Sequence, residues 1–117
     1  MGYSVVTCSS GEDAIKLTSK DRIDMTFIDL KLPDMDGIHV IRKIKDTNTI
    51  PVAITAYQSV NSVLDALQSG AYDYIIKPVN INDLEILIAK ALVRHKIEED
   101  RKKLMDRYQK ASVIMSI

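Results

Sequence analysis

Three side chains in the 117-residue sequence, Asp29, Thr55 and Lys77, have the chemistry to hold and accept an anionic group. A carboxylate can act as a nucleophile and become an acyl phosphate. Phosphoryl transfer asks a protein mainly for in-line positioning and for positive charge on the transferring oxygens. Lys77 can supply one positive charge, and the Thr55 hydroxyl can hydrogen-bond a phosphoryl oxygen. Ala56, directly after Thr55, is small and leaves room for the group. The stretch TFIDLKLPDMDG (26–37) adds a physical constraint, because its apolar run ends on Asp29. An unpaired buried charge is strongly disfavoured, so Asp29 has to stand at the rim of whatever that run builds.

The elements that would position these residues follow from pattern. YSVVTC (3–8) is short and β-branched and reads as a strand. Ser10 then precedes an acidic first turn, with Ala14, Ile15 and Leu17 at helical spacing. DMTFID (24–29) lacks alternation and reads as a strand buried on both faces. Residues 33–37 form a loop, and Ile38, Ile41 and Ile44 make one helical stripe. PVAIT (51–55) is a strand with Pro51 at its first residue, where a missing N–H does least harm. Val60, Val63, Leu64 and Leu67 form the next stripe, and Gly70 sits where a helix C-cap belongs. AYDYII (71–76) is a fourth strand, ended by Lys77-Pro78. Asn80 with Asp83 offers an N-cap to a last helix whose Leu84, Leu87, Ile88, Ala91 and Leu92 face the core. The order βαβαβαβα with short connections predicts an α/β domain with parallel strands and right-handed crossovers. Working residues of such sheets gather at the carboxyl ends of the strands, where Asp29, Thr55 and Lys77 all fall.

Composition narrows the class. With 46% hydrophobic and 27% charged residues, the chain is an ordinary globular domain rather than a disordered one. No apolar run approaches the roughly 20 residues of a membrane helix, so no membrane span is expected. MGYSVVTC has no basic segment ahead of an apolar one, which predicts no signal peptide. A single cysteine, Cys8, can form neither an internal disulfide nor a zinc cluster, which points to a reducing, cytoplasmic setting and to a small buried hydrophobe. His39 and His95 have no partner at metal-ligand spacing and read as surface or helix-face residues, while Met105 and Met115 are expected to pack. Residues 1–92 carry nine Lys/Arg and twelve Asp/Glu, and residues 93–117 carry seven and four. So small a basic surplus reads as a solvated helix face, with no direct nucleic-acid binding by this domain.

At this point the sequence resembles the receiver domain of bacterial two-component response regulators. The matching residues are Asp29 followed by Leu32-Pro33-Asp34-Met35-Asp36-Gly37, then Ile54-Thr55-Ala56, then Gly70-Ala71-Tyr72-Asp73-Tyr74 and Lys77-Pro78. They span most of residues 3–92, in order, across four separate segments. The resemblance implies a flavodoxin-like (CheY-like) fold and no enzymatic turnover. Asp29 would accept a phosphoryl group from a phosphohistidine on a sensor histidine kinase or phosphotransfer protein. Thr55 would move toward the phosphate and Tyr74 would change rotamer, a bistable element biased by local charge. Lys77 would contact the phosphate, with Lys77-Pro78 in cis, and Pro33, Gly37 and Pro78 would shape the site. Lys31 would lend its backbone carbonyl to a Mg²⁺ ion beside Asp29, and Lys31 with Tyr57 would tune dephosphorylation. The shifting surface would comprise residues 59–69, 71–76 and 81–92.

The resemblance departs at the start, where a typical receiver has a further strand ending in an acidic pair, then a helix. Those acids normally hold the Mg²⁺, so metal ligands beyond Asp29 and Lys31 are missing and the cation is expected to bind weakly or not at all. Asp34 and Asp36 lie on the loop, but the family gives them no such role. In the order 2-1-3-4-5 the lacking strand is the one between YSVVTC and DMTFID, so these two either pair directly or leave an edge that recruits something else. A homodimer is expected, strand-swapped or formed through the C-terminal helix. Two regions follow: a receiver-like domain over 1–92 and an extended helix or linker over 93–117, where Val93, Ile97, Leu104, Tyr108, Ala111 and Met115 recur near a 3.5 spacing with Asp100 interrupting. The rival reading is a binding or dimerisation module of the same fold that is not, or only weakly, phosphorylated. A haloacid dehalogenase-type phosphatase is disfavoured, because it wants an acid where Lys31 stands. A flavin carrier is disfavoured too, because CSSGED has one glycine.

Overall fold

The computed structural model describes residues 3–56, 60–109 and 114. The side chains of Val60 and Tyr108 lie outside that description, as do Tyr57, Ala111 and Met115. Seven elements follow one another: α1 (Gly11–Lys20), β1 (Met25–Asp29), α2 (Gly37–Ile44), β2 (Ile50–Thr55), α3 (Val60–Ser69), β3 (Asp73–Ile76) and α4 (Ile81–Gln109). The strands form one parallel sheet in the order β1-β2-β3, with Met25 opposite Ile50 and Val52 opposite Asp73. This is a parallel α/β arrangement, as the pattern predicts, and fits the flavodoxin-like fold that the resemblance implies.

One expected strand is absent. Residues 3–8 have no regular structure and pair with no strand; Val5 is 79% exposed and Val6 65%. β-Branched composition favours a strand only where a neighbour supplies the ladder and a face to pack on, and YSVVTC has neither. The direct pairing of 3–8 with β1 therefore does not occur, and the outer edge of β1 has no partner among the described residues. Cys8 travels with that segment and is exposed rather than buried.

The main core lies between one face of the sheet and the first three helices. Ile28 and Ala53, opposite each other on β1 and β2, cluster with Ala14, Val40, Ile41, Ile44, Ala66 and Ala71. Val40, Ile41 and Ile44 are completely buried, so the α2 stripe is as expected. The α3 stripe is not. Ala66 and Ser69 face inward and Val63 is half-buried, while Leu64 and Leu67 are exposed. On α4, Ile88 and Ala91 are buried and Leu84, Leu87 and Leu92 half-buried. The helix continues without a break past residue 92, and Met105 is exposed rather than packed. Arg22 reaches across to Glu99 (3.2 and 3.3 Å), and Arg94 lies 5.5 Å over the Tyr72 ring, so polar contacts tie this helix to the body.

The helix starts are capped by local and distant oxygens. Ser10 Oγ accepts from the Asp13 N–H at 3.2 Å, and Asn80 Oδ1 accepts from Asn82 at 2.9 Å and Asp83 at 3.3 Å. Gly70 closes α3 with φ +121°, a backbone conformation that suits glycine. Gly37 is required for a different reason. Its N–H donates to the Leu30 carbonyl at 3.0 Å, so the first turn of α2 sits directly on the end of β1. A Cβ there would collide with the Asp29 carbonyl oxygen and lie 2.6 Å from Leu30 Cα. Gly37→Ala is expected to lower stability by about 1–3 kcal/mol, the usual range for forced overpacking. A urea denaturation midpoint that matched the unsubstituted chain would contradict this close approach.

Candidate functional site

Backbone register brings the three strand ends together. Asp29 closes β1 opposite Ile54, and the Leu30 N–H donates to the Ile54 carbonyl at 3.0 Å. Thr55 is the next residue of β2 and stands opposite Ile76. Lys77 follows β3 directly, and its N–H donates to the Thr55 carbonyl at 2.9 Å. The Lys77–Pro78 peptide bond is cis.

Side chains complete the arrangement. Lys77 Nζ donates to Asp29 Oδ2 at 2.6 Å, and the Lys31 N–H donates to Asp29 Oδ1 at 2.9 Å. Both charged side chains remain partly in water, Asp29 at 36% and Lys77 at 46% exposed. At that exposure solvent screens the pair, and such pairs contribute at most about 1 kcal/mol, so its importance is positional. Thr55 is buried at 6%, Ala56 is exposed, and Tyr74 is 36% exposed. Tyr74 lies opposite Ala53, two residues before Thr55, so strand alternation puts Thr55 and Tyr74 on the same face of the sheet. Pro33 and Pro78 are exposed, and Tyr57 lies outside the described residues.

Partial burial pushes the Asp29 carboxyl up. The Lys77 hydrogen bond, the Lys31 N–H and the charges of both lysines outweigh it and hold the group below the usual carboxylate value.

The loop acids have separate tasks that the motif alone did not reveal. Asp34 Oδ1 and Oδ2 accept from the N–H groups of Gly11 (2.8 Å) and Glu12 (3.1 Å), which cap α1 and hold the Asp34 carboxyl low. Asp36 Oδ1 accepts from the Ile38 N–H at 2.9 Å and caps α2. The second cap has a local signature, an Asp just before an apolar helical run. The first joins residues over 20 positions apart and leaves no local trace. His39 is exposed, while His95 Nε2 lies 3.0 Å from Glu99 Oε1. Among the described residues no group of three or more His, Cys, Asp or Glu is placed to hold a metal ion.

The sign of the Asp29 shift sets its pH dependence. A depressed carboxylate adds stability above its unfolded value of roughly 3.9, and this is lost as pH falls through the lower folded value. Lys77→Met removes the principal opposing contact, so the Asp29 carboxyl should titrate at higher pH than in the unsubstituted chain. Carboxyl ¹³C shifts followed from pH 2 to 7 check this, and an unmoved midpoint would refute the role given to Lys77.

Comparison with known proteins gives one family. The response regulator receiver domain model matches residues 1–89. The transcriptional regulatory protein ZraR of Escherichia coli K12 is 38% identical over 102 residues, covering 85% of this chain but 23% of ZraR. The chain thus spans about a quarter of that relative's length. The signal receiver domain of a putative LuxO repressor from Vibrio parahaemolyticus superposes with a TM-score of 0.78 at 34% identity, over 83% of this chain and 76% of that one. The receiver domain of the Pseudomonas aeruginosa sensor histidine kinase PA1611 gives 0.70 at 26% identity over 78% of each chain, and holds a magnesium ion in its active-site cleft.

Proposed function

The chain belongs to the receiver domains of two-component response regulators, and on that premise we propose that Asp29 is its phosphoacceptor. The observation that carries the reading is the Lys77 ammonium seated on the Asp29 carboxylate at the shared rim of three strands. In this reading an Asp29 oxygen bonds to phosphorus as the P–N bond of a phosphohistidine breaks. The imidazole leaves with the bonding pair and takes up a proton. The donor is a sensor histidine kinase or phosphotransfer protein. Lys77 then transfers its hydrogen bond to a phosphoryl oxygen, a move its long flexible stem allows. The Thr55 hydroxyl follows, and Tyr74, on the same face, changes rotamer.

The module has no turnover of its own and signals through residues 59–69, 71–76 and 81–92. It works in the cytoplasm, and no described helix is long and apolar enough to cross a membrane. Residues 1–92 are the receiver unit and 93–117 an extension that serves as an extended helix or linker, helical as far as Gln109 in the described residues. The exposure of Val93, Ile97 and Leu104 along that helix supports a homodimer formed through it. A second reading, a receiver-like dimerisation module that takes no phosphate, is favoured by one observation: the exposed apolar residues of the last helix can pair two copies with no phosphate at Asp29.

Incubation with acetyl phosphate followed by intact mass measurement separates the two. The phosphoacceptor reading expects one added phosphoryl group that disappears in Asp29→Asn. It also expects Thr55→Ala to keep the mass gain but lose the amide shifts around Tyr74. No mass gain in the unsubstituted chain favours the second reading.

A further inference from the structure

We infer that in this chain the Lys77 ammonium, rather than a divalent cation, is the resident counter-ion of Asp29. The inference concerns the same carboxylate as the functional reading but holds whether or not it is phosphorylated. Mg²⁺ requires near-octahedral oxygen ligation, usually one or two carboxylates with waters, and it gives up its waters reluctantly. Both oxygens of Asp29 already accept hydrogen bonds from the protein. Asp29 Oδ2 accepts from Lys77 Nζ at 2.6 Å and Oδ1 from the Lys31 N–H at 2.9 Å.

The two other acids of the loop are turned to the helices. Asp34 spends both oxygens on the first N–H groups of α1, and Asp36 caps α2. Neither can reach a cation at Asp29 without uncapping a helix. The side chains of the residues outside the description include no Asp, Glu, His or Cys. A dication at Asp29 would therefore meet one carboxylate and one carbonyl, and would have to displace an ammonium tethered to the same sheet. A tethered competitor acts at high effective concentration, and its charge also repels the incoming ion.

Manganese(II), a paramagnetic stand-in for magnesium, gives a readout independent of phosphorylation. In ¹⁵N spectra of the unsubstituted chain, the amides of Leu30 and Lys31 should broaden less than those of Asp46 and Asp65, which are exposed and, among the described residues, face no ammonium or guanidinium at ion-pair distance. In Lys77→Met the Leu30 and Lys31 amides should broaden as strongly as those two. Lys77→Gln serves as a second variant, and the remainder of each spectrum reports that the fold is kept. Saturable broadening centred on Leu30 and Lys31 in the unsubstituted chain would overturn the inference. So would variants that broaden no more there than the parent, since Lys77 would then not be what keeps the cation away.

Discussion

The governing constraint is a carboxylate at the end of an apolar strand. Ile28, one residue earlier, is 3% exposed, so the chain reaches Asp29 straight from the core. A charge in that position needs a partner, and the nearest strand, β2, ends in a neutral threonine. The positive charge comes from one strand further on. Adjacent strands lie about 4.8 Å apart, so β1 and β3 are separated by roughly 10 Å. Only a long side chain spans that gap, and lysine's four-carbon stem does so above the strand that ends in Thr55. The convergence of the three strand ends is thus tied to satisfying Asp29.

Much of this arrangement is legible in the sequence because it depends on strand ends. A parallel sheet with short connections places the last residues of its strands side by side, so Asp29, Thr55 and Lys77 could be grouped without coordinates. The caps at Ser10, Asn80 and Gly70 were legible for a similar reason, since each is set by a few consecutive residues. What depended on distant partners was not. YSVVTC has a strand composition but no neighbour, and Leu64 and Leu67 have an apolar pattern that points outward while Ala66 and Ser69 face inward. Cys8 is exposed for the same reason as the segment that carries it. The long-range cap from Asp34 to Gly11 was invisible because nothing local marks it.

The two faces of the sheet differ in what covers them. One face supports a continuous cluster from three helices, whereas α4 contributes only Ile88 and Ala91 as buried apolar residues. Phe27 remains half-buried while its neighbour Ile28, on the opposite face, is buried. The far part of α4 is therefore held by ionic and aromatic contacts, Arg22 to Glu99 and Arg94 over Tyr72. Exposed contacts of this kind are weak individually, so the far part of α4 is held by interactions that salt and charge changes can alter.

The anchoring of the loop after β1 bears on where a charge change at Asp29 can be felt. That loop is fixed at several points: Gly37 against Leu30, Asp36 on the start of α2, and Asp34 on the start of α1. Moving it would break two helix caps and a buried backbone contact together. On the other side of Asp29 the restraints are fewer. Lys77 is a single exposed tether, Tyr74 is partly in solvent, and α3 buries small residues while its leucines face outward. Segments with few buried apolar contacts open at the lowest cost. In the proposed reading, a phosphoryl group at Asp29 leaves α1 and α2 in place and is felt on the Thr55–Tyr74 side, where the restraints are fewer.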